Sequence, residues 1–351
     1  MNFYKIFGQT PSGKRSENVK LSPNFKNGAF QNLSHTPDLS EDATFVSVLY
    51  EFLFKSHKRA KPKSEVPSIK TDLLRLDTAV DVLIWFGHSS YFMQLEGKRI
   101  LVDPVFAGYA APFSFSNKSF DGTDVYSIED LPYIDYLLIS HDHYDHLDYE
   151  TILKLESKVG KVICGLGTGQ HFEYWGYDTD KIIEKDWHQE VVLDGGIKIY
   201  VQPSRHFSGR LFKRNQSLWV SFVLTTPKLN IYAGGDSGYD THFAEIGNRF
   251  GPFDLAILDN GQYDKSWKYI HMFPEEVLKA AQELKAKRLM PVHSAKFVLA
   301  NHAWDEPLER ISTLNQGVRI PLVTPMIGEV VTLNDTTQAF QSWWRDSEQE
   351  R

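Results

Sequence analysis

The stretch Ile139-Ser140-His141-Asp142-His143-Tyr144-Asp145-His146-Leu147 places three histidines and two aspartates within six residues. It comes directly after the apolar run 136–139, which predicts a buried strand. A strand that leads into such a loop brings several imidazoles and carboxylates to one point, and zinc and related metals prefer this mixture of nitrogen and oxygen ligands. Chance seldom builds this density of ligands at a strand end, so we predict a metal site rather than a polar loop that happens to be rich in histidine.

Three further candidate ligands lie downstream, and each comes just after a predicted strand: His206, Asp236 and His293. Asp236 sits in the segment 234–238, whose glycines predict a sharp turn and a close approach of the backbone. Taken singly, each of the three is compatible with an ordinary buried polar residue. Because four strand ends all supply metal-type side chains, we predict that they share one site.

Length and composition set the limits for the rest of the chain. The 351 residues, with a hydrophobic content of 42%, are enough for one large domain or two medium ones. The net charge of −7 gives no general attraction to nucleic acid. The single cysteine, Cys164, excludes an intrachain disulfide and favours a reducing, cytoplasmic location, with membrane association and a cysteine-poor secreted protein left open. No apolar run approaches the ~20 residues of a membrane span, and the first residues lack the apolar core of a signal peptide, although a leader removed beforehand would leave no trace.

Residues 1–80 differ in composition from the remainder of the chain and predict an N-terminal extension with one amphipathic helix packed on the body. We expect Ser40 to cap this helix near Glu41, because apolar residues then recur at helical spacing. The basic segment 55–63 comes next, and we favour a solvated linker over a patch for the phosphate headgroups of a membrane surface. Aromatic residues favour docking of the first forty residues over disorder. The apolar face of the helix comprises Phe45, Val48, Leu49, Phe52 and Leu53.

From Asp81 onward, short apolar runs bounded by turn signals predict strands, first in succession and then alternating with helices. Strands in runs with interspersed helices predict two packed sheets covered by helices. We therefore predict one domain over residues 81–335, followed by a C-terminal tail over 336–351. The oligomeric state cannot be read from the sequence.

The histidine-rich motif resembles the metal-binding signature of the metallo-β-lactamase superfamily. Further segments, in order between about residues 81 and 310, are similar to the branch that contains N-acylphosphatidylethanolamine-hydrolysing phospholipase D and its RomA-like and UlaG-like bacterial relatives. The resemblance implies an α/β (α+β) fold, a four-layer αβ/βα sandwich in which two mixed β-sheets are flanked by helices. The similar segments are 85–90, 101–106, 205–210, 235–239, 271–276 and 293–297.

The resemblance also implies two divalent metal ions, with zinc favoured and iron or manganese left open. One ion would be held by His141, His143 and His206. The other would be held by Asp145, His146 and His293. Asp236 would bridge the two ions, with a water or hydroxide between them as the nucleophile.

Four residues have additional predicted roles around the ligands. Asp145 is either a metal ligand or the general base, and the sequence does not separate these roles. Asp103 is predicted to support a metal-bound imidazole. His88 either does the same or caps its own turn. His271 either reaches the substrate as a catalytic group or packs at the start of a helix.

The leading functional prediction is a metal-dependent hydrolase of a phosphodiester, with a phospholipid of the N-acylphosphatidylethanolamine type as one substrate. The alternative is a lactonase or carboxyl-ester hydrolase of the same superfamily. A nuclease is disfavoured by the net charge, and a metal-free binding protein by the complete set of seven ligand residues. The chain departs from the phospholipase pattern at 265–268 and 294–296, and we expect both stretches to border the pocket.

Overall fold

The computed structural model describes residues 3–55, 57–210 and 213–348, and within these it contains seven α-helices and fifteen strands. None of the described helices is long and apolar enough to cross a membrane. The helices are α1 Gly13–Leu21, α2 Phe45–Phe54, α3 Tyr149–Leu155, α4 Gly169–Trp175, α5 His242–Phe250, α6 Pro274–Glu283 and α7 Glu306–Val318. The strands are β1 Phe25–Lys26, β2 Ala29–Phe30, β3 Val82–Trp85, β4 Tyr91–Leu95, β5 Lys98–Val102, β6 Ile134–Ile139, β7 Val159–Gly165, β8 Ile182–Lys185, β9 Glu190–Val192, β10 Lys198–Gln202, β11 Ser221–Thr225, β12 Asn230–Ala233, β13 Leu255–Asp259, β14 Leu289–Val292 and β15 Val330–Thr332.

The strands form two large mixed sheets and one short hairpin, β1–β2. The seven-stranded sheet has the order β15-β3-β4-β5-β6-β7-β8, and the six-stranded sheet has the order β14-β13-β12-β11-β10-β9. Strands β5 to β8 pair in parallel, as do β12 to β14. Since parallel strands end at the same edge of a sheet, each sheet gathers several strand ends on one side.

The side chains of β6 show why the two sheets need helices on their outer faces. Tyr136 and Leu138 point into the core between the sheets, whereas Leu137 and Ile139 point outward into a second core that includes residues of α3 and α4. A strand buried on both faces requires a layer on each side. A third core lies between the six-stranded sheet and the helices α5, α6 and α7. The predicted four-layer αβ/βα sandwich is therefore confirmed.

The N-terminal extension contains two helices rather than the one that was predicted. The additional helix, α1, is held by the guanidinium of Arg15, which pairs with Glu173 at 2.8 Å and with Glu184 at 2.5 Å. Phe30 is fully buried in the main core. The expectation that the first forty residues dock on the body is thus met at α1 and at β2.

Helix α2 begins at Phe45, so the prediction that Ser40 caps it near Glu41 is wrong. The cap is Thr44, whose hydroxyl accepts the backbone N–H of Ser47 at 3.1 Å, while the Ser47 hydroxyl accepts the N–H of Thr44 at 2.9 Å. The N–H of Ser40 donates instead to the carbonyl of Ser266, which ties the preceding loop to the body.

The predicted apolar face of α2 does not pack on the body as expected. Phe45 is 75% exposed and Leu49 is 46% exposed, and only Val48 is partly covered. The side chains of Phe52 and Leu53 lie outside the described residues.

The predicted tail 336–351 includes core residues. A 3-10 helix, Trp343–Glu348, places Trp343 and Trp344 in the main core. The ring of Trp343 lies 6.2 Å from that of Trp85 and 6.5 Å from that of Trp304. The segment around Trp343 therefore packs on the body of the domain rather than forming a free tail.

We expect the substitution Trp343→Ala to lower the free energy of unfolding by about 3–5 kcal/mol, because it removes a large buried ring from a packed core. Urea unfolding followed by circular dichroism measures this change. The control Leu314→Ala, at a residue of α7 that is 41% exposed, should change the value by less than about 0.5 kcal/mol. Equal effects of the two substitutions would contradict the docking of the C-terminal segment.

Candidate metal centre

The predicted ligands come together at one edge of the sandwich. His141 comes after β6, Asp236 after β12 and His293 after β14, and all three lie beyond the carboxyl ends of parallel strands. The ligand atoms within each group of the cluster lie within 4.8 Å of one another. The four groups are His141, His143 and His206; His88, Asp145, His146 and His293; His141, His146 and Asp236; and Asp236, Asp259, His271 and His293.

The first group consists of three imidazoles that face one another. Nε2 of His141 lies 2.8 Å from Nδ1 of His143, and Nε2 of His206 lies 3.2 Å from the same atom. Nitrogens bound tetrahedrally to zinc at about 2.0–2.1 Å are about 3.3 Å apart, so these spacings suit a shared ion.

The second group is arranged around carboxylates. Oδ2 of Asp236 lies 3.1 Å from Nε2 of His146, and Oδ1 lies 3.1 Å from Nδ1 of His293. Nε2 of His146 is also 3.5 Å from Oδ2 of Asp145. Oδ2 of Asp236 is 3.7 Å from Nε2 of His206 as well. Asp236 thus contacts both groups, which is the position that a bridging carboxylate needs.

Several site atoms are buried without a well-formed hydrogen bond. Within the described residues these include Nε2 of His146 and Oδ1 of Asp236, which both face the cluster. Leaving a buried polar atom unsatisfied costs about 1–3 kcal/mol. An imidazole nitrogen and a carboxylate oxygen that lie in the cluster without such bonds fit a cation, and this donor set suits zinc.

The charge states of the histidines agree with this fit. Burial lowers the pKa of His143 to about 4, and it holds the pKa of His141 and His206 well below the ordinary value. These imidazoles are therefore neutral, with a lone pair available to a metal. Burial alone would also lower the pKa of His146, but the carboxylates of Asp236 and Asp145 raise it well above the ordinary value. The site stabilises a positive charge at that point.

Asp103 makes the contacts expected of a supporting carboxylate. Its Oδ2 accepts a hydrogen bond from Nδ1 of His146 at 2.9 Å and another from the hydroxyl of Ser140 at 2.6 Å. Its Oδ1 accepts the backbone N–H of Ser140 at 2.8 Å. The bond to Nδ1 fixes the tautomer of His146 and leaves Nε2 turned toward the cluster.

His88 lies closer to the site than a capping role requires. Its Nε2 is 2.9 Å from Oδ2 of Asp145, so the imidazole N–H donates to that carboxylate. The backbone of His88 has a φ of 53°, and that of His293 has a φ of 67°. Left-handed backbone at residues other than glycine is rare and clusters at functional sites. The N–H of His293 donates to the carbonyl of His88 at 2.9 Å, so one loop holds the other in this conformation.

One pair at the site includes a residue that the sequence reasoning missed. Nδ1 of His271 lies 2.8 Å from Oδ2 of Asp259, and both side chains are buried. Burial would lower the pKa of His271, but the Asp259 carboxylate more than offsets this, so the pKa is raised. Asp259 ends the predicted strand over 255–258, much as Asp236 comes after its own strand, and that shared position was the signal that could have identified it.

A cavity of about 540 Å³ opens onto the cluster. Trp267 lines it, which confirms that the divergent segment 265–268 borders the pocket. The expectation that the segment 294–296 also borders the pocket is wrong, because none of its residues lines the cavity. Lys296 is buried, and its ammonium group donates to the carbonyls of Phe86 and Val105 at 3.2 Å each. The metal side of the cavity is formed by His143, Asp145, His206, Asp236, His271 and His293, and the apolar side by Leu39, Phe45, Val48, Phe207, Trp267, Ile270 and Leu299.

A four-layer sandwich with imidazoles and carboxylates gathered at one edge is the architecture of the metallo-β-lactamase fold. The sequence profile described as "Beta-lactamase superfamily domain" matches residues 98–294, more than half of the chain. The chain belongs to the metallo-β-lactamase superfamily.

Individual relatives agree with this assignment. An uncharacterized protein of Mycobacterium tuberculosis is 34% identical over 328 residues, which cover 92% of this chain and 88% of that protein. An N-acyl-phosphatidylethanolamine-hydrolyzing phospholipase D of Caenorhabditis elegans is 29% identical over 66% of this chain and 68% of its own length. The metallo hydrolase Igni18 of Ignicoccus hospitalis has the same fold, with a TM-score of 0.56 at 20% identity over 72% of this chain and 97% of its own.

We expect the purified protein to hold about two divalent metal ions per chain and the variant His206→Ala to hold about one fewer, because the first group then loses an imidazole. Elemental analysis by inductively coupled plasma mass spectrometry measures the content. The control His188→Ala changes an exposed histidine outside the cluster and should leave the content unchanged. A full metal content in both variants would show that His206 is not a ligand.

Proposed function

We propose that the protein is a phosphodiesterase that works with two divalent metal ions and cleaves a phospholipid, with N-acylphosphatidylethanolamine as the leading candidate. The observation that carries this proposal is the pocket. Its floor is the cluster of imidazoles and carboxylates, and its wall is apolar. A volume of about 540 Å³ lies within the range of sites for drug-sized ligands. A substrate with a charged phosphate and an acyl chain matches both parts, whereas a small sugar lactone would leave the apolar wall without a partner.

Arg214 supplies a cation to the same pocket. Its guanidinium lies over the ring of Phe207, 4.0 Å from the centroid, and pairs with the carboxylate of Asp38 at 2.9 Å. The side chain of Asp38 is largely exposed, and exposed ion pairs contribute little to stability. A phosphate can therefore replace Asp38 at low cost and bind the guanidinium with two hydrogen bonds. This supports an anionic substrate.

The residues of the site divide the chemistry between them. Two divalent ions, with zinc favoured, would be held by His141, His143, Asp145, His146, His206, Asp236 and His293, and they would lower the pKa of water and stabilise charge on the attacking and leaving oxygens.

Asp145 lies within hydrogen-bond reach of His88 and close to His146, so it can serve as a ligand or accept a proton from the attacking water. His271 lines the pocket beside Asp259, whose carboxylate raises the pKa of the imidazole and so favours the protonated form that can donate to the leaving oxygen.

The name of the C. elegans relative states hydrolysis of N-acyl-phosphatidylethanolamine, and this supports the same bond for the present protein. The proposal further includes peripheral contact with lipid, since a phospholipid substrate resides in a bilayer.

We expect the metal-loaded protein to hydrolyse N-acylphosphatidylethanolamine dispersed in detergent and also bis-p-nitrophenyl phosphate. Mass spectrometry of the released phosphatidic acid and absorbance of p-nitrophenolate measure the two reactions. Chelation of the metals should abolish both. Turnover of aliphatic lactones without either phosphodiester would replace the proposal by the lactonase alternative, and activity on none of the substrates would overturn the phosphodiesterase.

The variant Asp259→Asn tests the role of His271 as the acid. Without the carboxylate the pKa of the imidazole should fall, because burial opposes its positive charge. Expulsion of a basic alkoxide should then slow by roughly 100-fold. Expulsion of p-nitrophenolate needs no proton and should change less than about threefold. The ratio of kcat for a dialkyl phosphodiester to kcat for bis-p-nitrophenyl phosphate measures the difference.

Asp254→Asn, at the residue directly before β13, serves as the control and should leave that ratio unchanged. Equal losses on the two substrates would mean that Asp259 acts on the fold or the metals rather than on proton transfer.

A further inference from the structure

Helix α2 exposes an apolar surface that the described part of the chain leaves uncovered. Val46 is 75% exposed, Tyr50 is 52% exposed and Phe54 is 72% exposed. Single exposed apolar residues are ordinary on protein surfaces. Three of them at spacings of four residues form one continuous stripe along a helix. Contiguous apolar surfaces of this kind mark sites of interaction.

The amino-acid composition of α2 indicates that the helix needs contacts with other groups to be stable. Valine and phenylalanine are weak helix formers, and ten residues are too few for a stable isolated helix. The capping pair Thr44 and Ser47 secures the first turn. The remaining stability has to come from contacts of its apolar side chains, and the outer stripe makes few of these within the described chain.

Both ends of α2 are attached to the body near the mouth of the pocket. Before the helix, the carboxylate of Glu41 accepts the hydroxyl of Tyr269 at 2.6 Å and pairs with Lys268 at 3.0 Å. After it, the side chain of Asn301 donates to the carbonyl of Lys55 at 3.0 Å and accepts the N–H of His57 at 2.7 Å. The helix therefore lies at the rim of the pocket, and the segments on both sides of it are attached to the body.

The inner and outer faces of α2 serve different surroundings. Phe45 and Val48 line the cavity above the metal cluster. Val46, Tyr50 and Phe54 are not among the lining residues and face away from it. A surface that covers the outer stripe would therefore lie directly beside the opening of the pocket.

The segment after the helix indicates which kind of surface this is. Lys55, Lys58 and Lys61 are exposed within seven residues of chain, in a protein whose net charge is −7. An apolar helix face next to a cluster of cations is the pattern of elements that bind anionic membrane surfaces, where apolar residues enter the interface and lysines contact phosphate headgroups.

We propose that α2 and the basic segment 55–63 form a docking surface for an anionic phospholipid bilayer and hold the mouth of the pocket against it. The delivery of a lipid into the pocket rests on the proposed phospholipid hydrolysis, whereas the docking itself does not. In this proposal the basic segment binds phosphate headgroups and is not merely a solvated linker.

Flotation of the full-length protein with vesicles tests this proposal. Wild-type protein should bind vesicles of phosphatidylcholine and phosphatidylglycerol more tightly than vesicles of phosphatidylcholine alone. The triple variant Val46→Ser, Tyr50→Ser, Phe54→Ser should bind both kinds at least about tenfold more weakly. The double variant Lys58→Gln, Lys61→Gln should lose about tenfold in affinity for the anionic vesicles only.

Two controls separate docking from other causes. Leu21→Ser removes an apolar residue that is 82% exposed at the end of α1 and should not affect binding to vesicles. The triple variant should keep the wild-type rate on bis-p-nitrophenyl phosphate and the wild-type melting temperature, since its residues do not line the pocket.

Three results would overturn the docking surface: wild-type protein that does not float with anionic vesicles, a triple variant that floats as well as wild type, or a wild-type dimer in light scattering that the triple variant converts to monomer. In the last case the stripe is an interface between copies of the chain. Vesicle binding without phospholipid hydrolysis would leave the docking surface standing and reject the proposed function. Hydrolysis of detergent-dispersed lipid without vesicle binding would reject the docking surface and leave the proposed function standing.

Discussion

The burial of four carboxylates and several imidazoles at one edge of the sandwich is the constraint on which the rest of the site depends. Asp103, Asp145, Asp236 and Asp259 are all largely removed from solvent. An isolated buried carboxylate costs several kcal/mol, so each must face a compensating charge or hydrogen-bond donors. The carboxylate of Asp103 accepts hydrogen bonds from Ser140 and His146, and that of Asp259 accepts one from His271. Asp236 faces imidazoles that burial keeps neutral and His146, whose proton a metal ion would replace. The balance of charge thus fits cations at the positions where the donor atoms converge.

The fold meets this constraint by bringing backbone segments unusually close together. The parallel strands β12, β13 and β14 deliver Asp236, Asp259 and His293 to the same edge. Gly235 has a φ of +60°, and a Cβ there would lie 2.8 Å from Cβ of Ser140, so only glycine allows this turn to approach the end of β6. This close contact is what places Asp236 between the two groups of histidines. The conformational strain at His88 and His293 is compensated by the backbone hydrogen bonds that join their loops.

Features encoded over a short range could be predicted from the sequence, and features that depend on distant partners could not. The apolar run before His141 predicts a strand from neighbouring residues alone, and the structure contains this strand as β6. The prediction placed the start of α2 too early because Ser40 and Thr44 are both good capping residues. The backbone N–H of Ser40 is bonded to the distant Ser266, so the helix begins after Thr44 instead. Asp259 was missed because an aspartate after an apolar strand is common. Only its pairing with His271 distinguishes it, and no regular spacing predicts a contact across the irregular segment between them.

Helix α2 contributes side chains both to the proposed docking surface and to the apolar wall of the pocket. Because Phe45 and Val48 face the cavity while Val46 and Tyr50 face outward, any rotation of the helix changes both faces at once. The attachments at Glu41 and Asn301 hold the segments on both sides of the helix to the body. A bilayer that covers the outer stripe would oppose rotation of the helix, since its outer apolar side chains would be buried in lipid. The apolar wall would then be most ordered when the mouth of the pocket faces lipid, which would link the capture of an acyl chain to contact with the surface that contains it.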